Sequence, residues 1–155
     1  MSTNVALAID QAFAAVPAPD ADELRISTDD ESFEDIEAFR GKRWQEIDAA
    51  QLASHQNALF WFSPTAFHYY LPAFLKAGLA APDAIFVITL LQLLTPSPKE
   101  NLNRFRELRW SQLGPQQIAV LDQWLGTIAE TARPGGVFAQ EIAEAQKAVR
   151  ERRWW

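Results

Sequence analysis

Cysteine is absent from this sequence of 155 residues, and histidine and glycine are scarce, with two and six copies. Without cysteine the chain has no thiolate nucleophile, thiolate metal site or disulfide, which is typical of a reducing cytoplasm. Two histidines thirteen residues apart are too few for a zinc site without further ligands. The glycines form no phosphate-binding loop, and no serine lies in a Gly-x-Ser-x-Gly turn. We therefore expect no catalytic residue, metal or cofactor, and favour a protein that is not an enzyme.

Long hydrophobic runs are also missing. The longest, residues 84–94, contains Thr89 and Gln92, and it is far shorter than the ~20 residues that cross a bilayer. The alanine-rich first residues have no lysine or arginine before them, so they resemble an amphipathic helix rather than a secretion signal. We expect a cytoplasmic protein without membrane contact.

Positive charge is scarce between residues 20 and 37, where nine acidic side chains accompany Arg25 alone. Such a segment repels phosphate backbones and attracts basic surfaces, so nucleic-acid binding is unlikely. The segment has few apolar neighbours that could raise the pKa of a carboxyl group. An exposed acidic surface is therefore favoured over a catalytic acid–base pair.

Apolar residues recur at three- and four-residue spacing along most of the chain, and no segment alternates with period two. This pattern predicts one all-α domain over residues 1–155, a bundle of about six to eight helices. Residues 20–31 are expected to form an acidic loop, and the Arg-Pro-Gly-Gly run at 133–136 to separate the last two helices.

Several residues predict where helices begin, end or bend. Gly41 predicts the end of a short helix, and Asp48 is the predicted N-cap of a helix expected to continue to Phe62. Ser63, followed by proline, predicts the start of the next helix. Pro72 lies well inside that helix and is expected to kink or divide it, because proline lacks the N–H that its position requires.

The two histidines and the C-terminal tryptophans each allow two interpretations. His55 falls on an apolar helix face, and aromatic neighbours could bury His68, so a core position is favoured over catalysis for both. The sequence Arg-Glu-Arg-Arg before Trp154 and Trp155 could bind single-stranded nucleic acid through cations and aromatic rings. Docking of the tryptophans onto the domain is the favoured interpretation.

The stretch Leu-Phe-Trp-Phe-Ser-Pro-Thr-Ala-Phe-His-Tyr-Tyr-Leu-Pro-Ala-Phe-Leu, residues 59–75, carries a family resemblance. It is similar to an LxFLSPxAFxYYLPAxL-type motif of small bacterial proteins catalogued as a domain of unknown function. The upstream Gly41-Lys42-x-Trp44 and the downstream Leu113-x-Pro-x-Gln117 agree with it, so the match covers about residues 33–130. The resemblance implies a small helical bacterial protein and supplies no activity. Within the stretch, the spacing of Phe67, Leu71 and Phe74 predicts core positions.

Two functions from different classes remain open. The favoured one is a non-enzymatic protein-binding module, such as an immunity or antitoxin-like protein that neutralises a basic toxin or effector through an acidic surface. Its predicted partner-binding residues are Asp29, Asp30, Glu31, Glu34, Asp35 and Glu37. The alternative is a small-molecule-binding protein or enzyme with an aromatic pocket. That pocket would contain Trp61, His68, Tyr69 and Tyr70.

Overall fold

The structure, a computed structural model, describes residues 2–25, 30–131 and 138–155. These residues form nine α-helices, two short 3₁₀ turns and no strand, so the predicted all-α fold is confirmed. The helices are α1 (Ser2–Phe13), α2 (Asp30–Glu37), α3 (Ala49–Ser54), α4 (Ala58–Trp61), α5 (Pro64–Ala80), α6 (Ile85–Leu94), α7 (Glu100–Trp110), α8 (Pro115–Thr131) and α9 (Ala139–Arg150). The 3₁₀ turns are Ala21–Glu23 and Trp44–Glu46.

Helix α5 lies at the centre of the described fold, in contact with α1, α3, α6, α7 and α8. Ten of its 17 residues are buried, including Phe67 and Phe74, as their spacing predicts. Gly78 allows a close crossing, since a Cβ there would lie 3.1 Å from ring carbon Cζ2 of Trp124 and from Cγ2 of Val87. Helix α5 is therefore a core element over most of its length.

The predicted helix boundaries around α5 are confirmed by their hydrogen bonds. The Ser63 side chain accepts a hydrogen bond from the Ala66 N–H, with a donor–acceptor distance of 3.1 Å. The Asp48 side chain accepts one from the Gln51 N–H at the start of α3. Gly41 has a φ of +72°, a left-handed conformation that suits glycine at the end of a helical segment.

The single helix expected from Asp48 to Phe62 is wrong, because α3 ends at Ser54 and α4 begins at Ala58. Side chains in the turn between them bond to other parts of the fold. The imidazole of His55 lies 3.1 Å from Asp35, and the Gln56 side-chain oxygen accepts a hydrogen bond from the Thr89 hydroxyl. These tertiary bonds stabilise the turn that separates α3 from α4. The described residues therefore form nine α-helices, one more than the maximum of eight that was predicted.

Three further expectations concern irregular segments. The acidic loop expected at 20–31 contains regular structure: a 3₁₀ turn spans Ala21–Glu23, Leu24 is buried, and α2 begins at Asp30. The break predicted at 133–136 lies outside the described residues. Helix α5 continues through Pro72, so the proline does not divide it, and a kink there stays a prediction.

Tryptophan side chains join the C-terminal ends of several helices, and they confirm the predicted docking of the C-terminus. The indole N–H of Trp154 donates to the carbonyl oxygen of Leu94 over 2.8 Å, and that of Trp110 donates to Leu93 over 2.9 Å. Trp155 donates to the carbonyl oxygen of Trp110 over 2.6 Å. Trp154 is 1% exposed and therefore belongs to the core, and Trp155 is half-buried against it.

Replacing Trp154 with alanine should lower the free energy of unfolding by about 3–5 kcal/mol, because it removes a buried ring and leaves the Leu94 carbonyl without its donor. Urea denaturation followed by circular dichroism measures this difference. Glu151→Ala, at an exposed neighbouring position, is the matched control and should change stability by less than about 0.5 kcal/mol. Equal stability of Trp154→Ala and wild type would contradict the docking.

Candidate functional site

Two acidic segments converge at Arg40. The Arg40 side chain binds Glu37 at the end of α2, with 2.8 Å between Nε and Oε2. Its Nη1 lies 3.9 Å from Oδ1 of Asp22 in the first 3₁₀ turn. The hydrogen bond from Arg40 is the main cause that lowers the pKa of Glu37, so this carboxylate stays ionised. Arg40 therefore joins the acidic turn at 20–23 and the acidic helix α2 into one exposed surface.

Helix α2 is held against the core by apolar residues and by one contact between polar side chains. Ile36 and the following Phe39 are buried, at 1% and 0% exposure. On the same helix, Oδ1 of Asp35 lies 3.1 Å from Nδ1 of His55, and both side chains are largely shielded from solvent. His55 therefore has a structural partner, but it lies half-buried in the turn after α3 and not in the predicted core position.

The six predicted partner-binding residues differ in exposure and in the contacts that they already make. Glu34 is exposed, whereas Asp35 and Glu37 already bind His55 and Arg40. Asp29 lies outside the described residues, as do the side chains of Asp30 and Glu31.

The structure adds acidic residues that the predicted site did not include. Asp20, Asp22 and Glu23 are all exposed, and Asp22 lies beside Arg40 with a fully exposed side chain. We define the acidic surface as Asp20, Asp22, Glu23, Glu34, Asp35 and Glu37. The sequence contained these charges, but only the fold shows that the turn at 20–23 adjoins α2, because Arg40 lies between them.

The aromatic residues proposed as a pocket are largely occupied by structural contacts. The Tyr70 hydroxyl lies 2.8 Å from the carbonyl oxygens of both Phe39 and Lys42. Its ring packs on Phe39 and Phe62, with centroids 5.1 and 5.3 Å apart. Burial raises the pKa of Tyr70 to about 12. Tyr70 therefore holds the turn around Gly41 against α5.

The other three residues of the proposed pocket lie in different settings. Tyr69 is buried with its ring edge-on to Tyr70, at a centroid distance of 4.9 Å. Trp61 packs half-buried against the core from α4. His68 contacts Phe13 of α1 and Gln117 of α8. The structure thus brings the two tyrosines together and directs His68 towards other helices.

His68 is part of a hydrogen-bond network through one glutamine. Its Nε2 lies 2.8 Å from Oε1 of Gln117, which also accepts the Gly114 N–H, while the Gln117 amide donates to the carbonyl of Ala12. A neutral imidazole protonated on Nε2 satisfies this geometry. Burial lowers the pKa of His68, and the bond to Gln117 opposes that shift. The network connects α5 to the end of α1 and the start of α8.

A further depression, not predicted from the sequence, opens between α9 and the end of α6, with a volume of about 460 Å³. It is lined by Thr95, Pro96, Glu144, Lys147, Ala148, Glu151 and Arg153. Its two cations and two carboxylates balance, so the lining favours neither anionic nor cationic ligands.

The described residues contain neither a cluster of metal-binding side chains nor a helix that could span a membrane. Within 2–25, 30–131 and 138–155, no group of three or more histidine or acidic side chains could hold a metal ion. In the same ranges, no helix has the length and apolar character to cross a bilayer.

Comparison with known families assigns residues 2–155 to a group described as "Family of unknown function (DUF6714)". The chain belongs to this family. The match spans more of the chain than the motif-based resemblance around residues 33–130 indicated. No curated protein and no solved structure shows significant similarity to the chain. Family membership therefore supplies no activity, and functional inference depends on the chain's own surfaces.

Replacing Tyr70 with phenylalanine should lower the free energy of unfolding by about 1–3 kcal/mol, because the fold loses the single O–H that lies between the carbonyl oxygens of Phe39 and Lys42. Tyr69→Phe is the matched control: in the described part of the chain its hydroxyl forms no hydrogen bond, so the loss should be smaller. Thermal and urea denaturation of both variants measure the difference. Equal losses would show that the Tyr70 hydroxyl contributes nothing specific.

The lowered pKa of His68 predicts a pH dependence of stability with a definite sign. The unfolded state binds a proton near the ordinary pKa of 6.5, before the folded state does. Stability from neutral His68 is therefore complete above that value and decreases as the pH falls through it.

Comparing wild type with His68→Gln between about pH 7.5 and about pH 5 isolates this contribution from other titrating groups. The wild type should lose more stability on acidification than the variant, because its unfolded state takes up a proton that the folded state resists. A histidine NMR titration gives the pKa directly. A value for His68 at or above 6.5 would contradict the burial argument.

Proposed function

We propose that this chain is a non-enzymatic protein-binding module that binds a basic protein partner through the acidic surface. The observation that carries the proposal is the convergence of the turn at 20–23 and helix α2 at Arg40. Two segments that are separate in sequence thereby present their carboxylates together. In the sequence, Asp29 lies between these two segments, and Asp30 and Glu31 are the first residues of α2.

The charge balance of this surface favours a cationic partner. Six carboxylates accompany Arg40 and Arg25, and the whole chain has a net charge of −6. A concentrated field of one sign accelerates association with an oppositely charged protein and excludes partners of like charge. The surface therefore supports rapid and selective capture of a basic protein.

The surface is also anchored, which reduces the entropy that binding would cost. Ile36 and Phe39 are buried, and Asp35 binds His55. The turn at 20–23 is fixed to the start of α5, because the Ser63 N–H donates to Leu24 over 2.9 Å. A preorganised surface loses little conformational freedom on association.

Within this class, the proposal favours an immunity or antitoxin-like role in a bacterial cytoplasm. A protein that neutralises a basic toxin or effector needs fast association and a rigid complementary face, and it needs no chemistry of its own. The aromatic stretch supports a ligand-binding function less well, because the Tyr70 hydroxyl is already bonded to main-chain carbonyls.

The test is capture of partners from the source cells with the tagged full chain and two charge-reversed variants. Glu23→Lys/Glu34→Lys changes exposed positions of the acidic surface, while Glu130→Lys/Glu144→Lys makes the same change of net charge on α8 and α9. The proposal expects a basic partner that the control variant retains and the first variant loses. The dissociation constant of the complex with this partner should rise at least about tenfold in the first variant. Added salt should slow association of the partner with the wild type.

Equal capture by all three proteins would contradict the proposal, as would a partner that is acidic or insensitive to salt. Melting temperatures of both variants should match wild type, because the four substituted side chains are exposed. That measurement separates a lost interface from a lost fold.

A further inference from the structure

Arg109, near the end of α7, is a cation buried in the fold without a counter-charge. It is 2% exposed, and in the described part of the chain it forms no ion pair. Its guanidinium carbon lies 3.5 Å from the centre of the Phe105 ring, and burial lowers the pKa of Arg109 to about 10. Removing a guanidinium from water is costly, so the contacts of this side chain indicate what it contributes to the fold.

The Arg109 guanidinium donates hydrogen bonds to three main-chain carbonyl groups. Its Nη2 lies 3.1 Å from the carbonyl oxygen of Phe60 and 2.8 Å from that of Phe62. Its Nη1 lies 3.1 Å from the carbonyl oxygen of Phe105 on α7 itself. Helix α4 is only four residues long, so carbonyl groups at its end lack partners within the helix. The planar guanidinium supplies those partners and thereby fixes the backbone at 60–62 to α7.

The backbone held by this guanidinium is bonded in turn to the first 3₁₀ turn and the two residues after it. The main chain of Phe62 forms an isolated antiparallel bridge with that of Arg25. The N–H of the next residue, Ser63, donates to the carbonyl oxygen of Leu24 over 2.9 Å. The Ser63 hydroxyl donates to the carbonyl oxygen of Glu23. The main chain of the acidic turn is therefore fixed to the segment that α7 holds.

Helix α2, the other part of the acidic surface, rests on the same segment. It packs against α4, whose end is bound by Arg109. The ring of Phe39, which follows α2, lies edge-on to the ring of Phe62 with 5.0 Å between their centroids. Both rings are fully buried. The two separate parts of the acidic surface are thus supported by one short stretch of backbone, and Arg109 binds that stretch at two carbonyl groups.

We propose that Arg109 is a positioning residue for the acidic surface, which it supports from the interior by fixing the backbone at 60–62. At 2% exposure it contacts no partner itself. It acts through the main chain that carries the carboxylates, and it keeps the turn and α2 in one arrangement. The consequence for partner binding rests on the proposed function, whereas the positioning is a property of the chain alone. The two are therefore tested separately.

Amide hydrogen exchange of the purified full chain, followed by NMR, tests the positioning. In Arg109→Met and in Arg109→Lys, exchange of the Ser63 amide should accelerate at least about tenfold more than exchange of amides in the middle of α8, which report global unfolding. Arg106→Met is the matched control on the same helix, because Nε and Nη1 of Arg106 have no hydrogen-bond partner in the described part of the chain. It should leave exchange of the Ser63 amide at the wild-type rate. Equal acceleration of the Ser63 and α8 amides would overturn the proposal, as would unchanged exchange of Ser63 in both Arg109 variants.

Arg109→Lys also tests the consequence for binding, because it leaves the net charge of the chain unchanged. With the basic partner captured by the wild type, this variant should raise the dissociation constant at least about threefold, since a surface that is no longer preorganised loses more conformational freedom on association. Arg106→Lys should bind like wild type. Unchanged binding by Arg109→Lys would overturn the positioning role in recognition while leaving the acidic surface as the interface. Absence of any captured partner would contradict the proposed function alone, because the exchange experiment decides the positioning without a partner.

Discussion

Helix ends inside the fold create unsatisfied carbonyl groups, and tryptophan indoles supply the donors that this constraint requires. Helix α6 is apolar nearly all round and ends at Leu93 and Leu94, which are 5% and 0% exposed. Carbonyl groups in the last turn of a helix lack intrahelical partners, and leaving them unpaired in an apolar interior is costly. Trp110 of α7 and Trp154 after α9 provide one N–H each. Trp154, near the C-terminus, therefore supplies one of the hydrogen bonds that allow the end of α6 to be buried.

The aromatic stretch at 59–75 follows a similar logic, because three of its polar side chains hydrogen-bond to other elements of the fold. Ser63 caps α5 and fixes the acidic turn, and Tyr70 holds the turn around Gly41. His68 reaches α8 through Gln117. Ser63, His68 and Tyr70 thus each anchor a neighbouring element to α5. The residues that dominate the sequence are explained by architecture, so functional inference moves to the surfaces that they position.

Local signals in the sequence predicted the parts of the fold that depend on local physics. The three-residue reach of a capping side chain fixes the starts at Asp48 and Ser63, and apolar periodicity predicts the buried face of α5. The turn between α3 and α4 was missed because its bonds from His55 and Gln56 reach residues twenty or more positions away. The junction at Arg40 was missed for the same reason, since no local pattern places Asp22 beside α2. The exposed leucines of α7 fit a helical period equally well as core residues, so only packing distinguishes them.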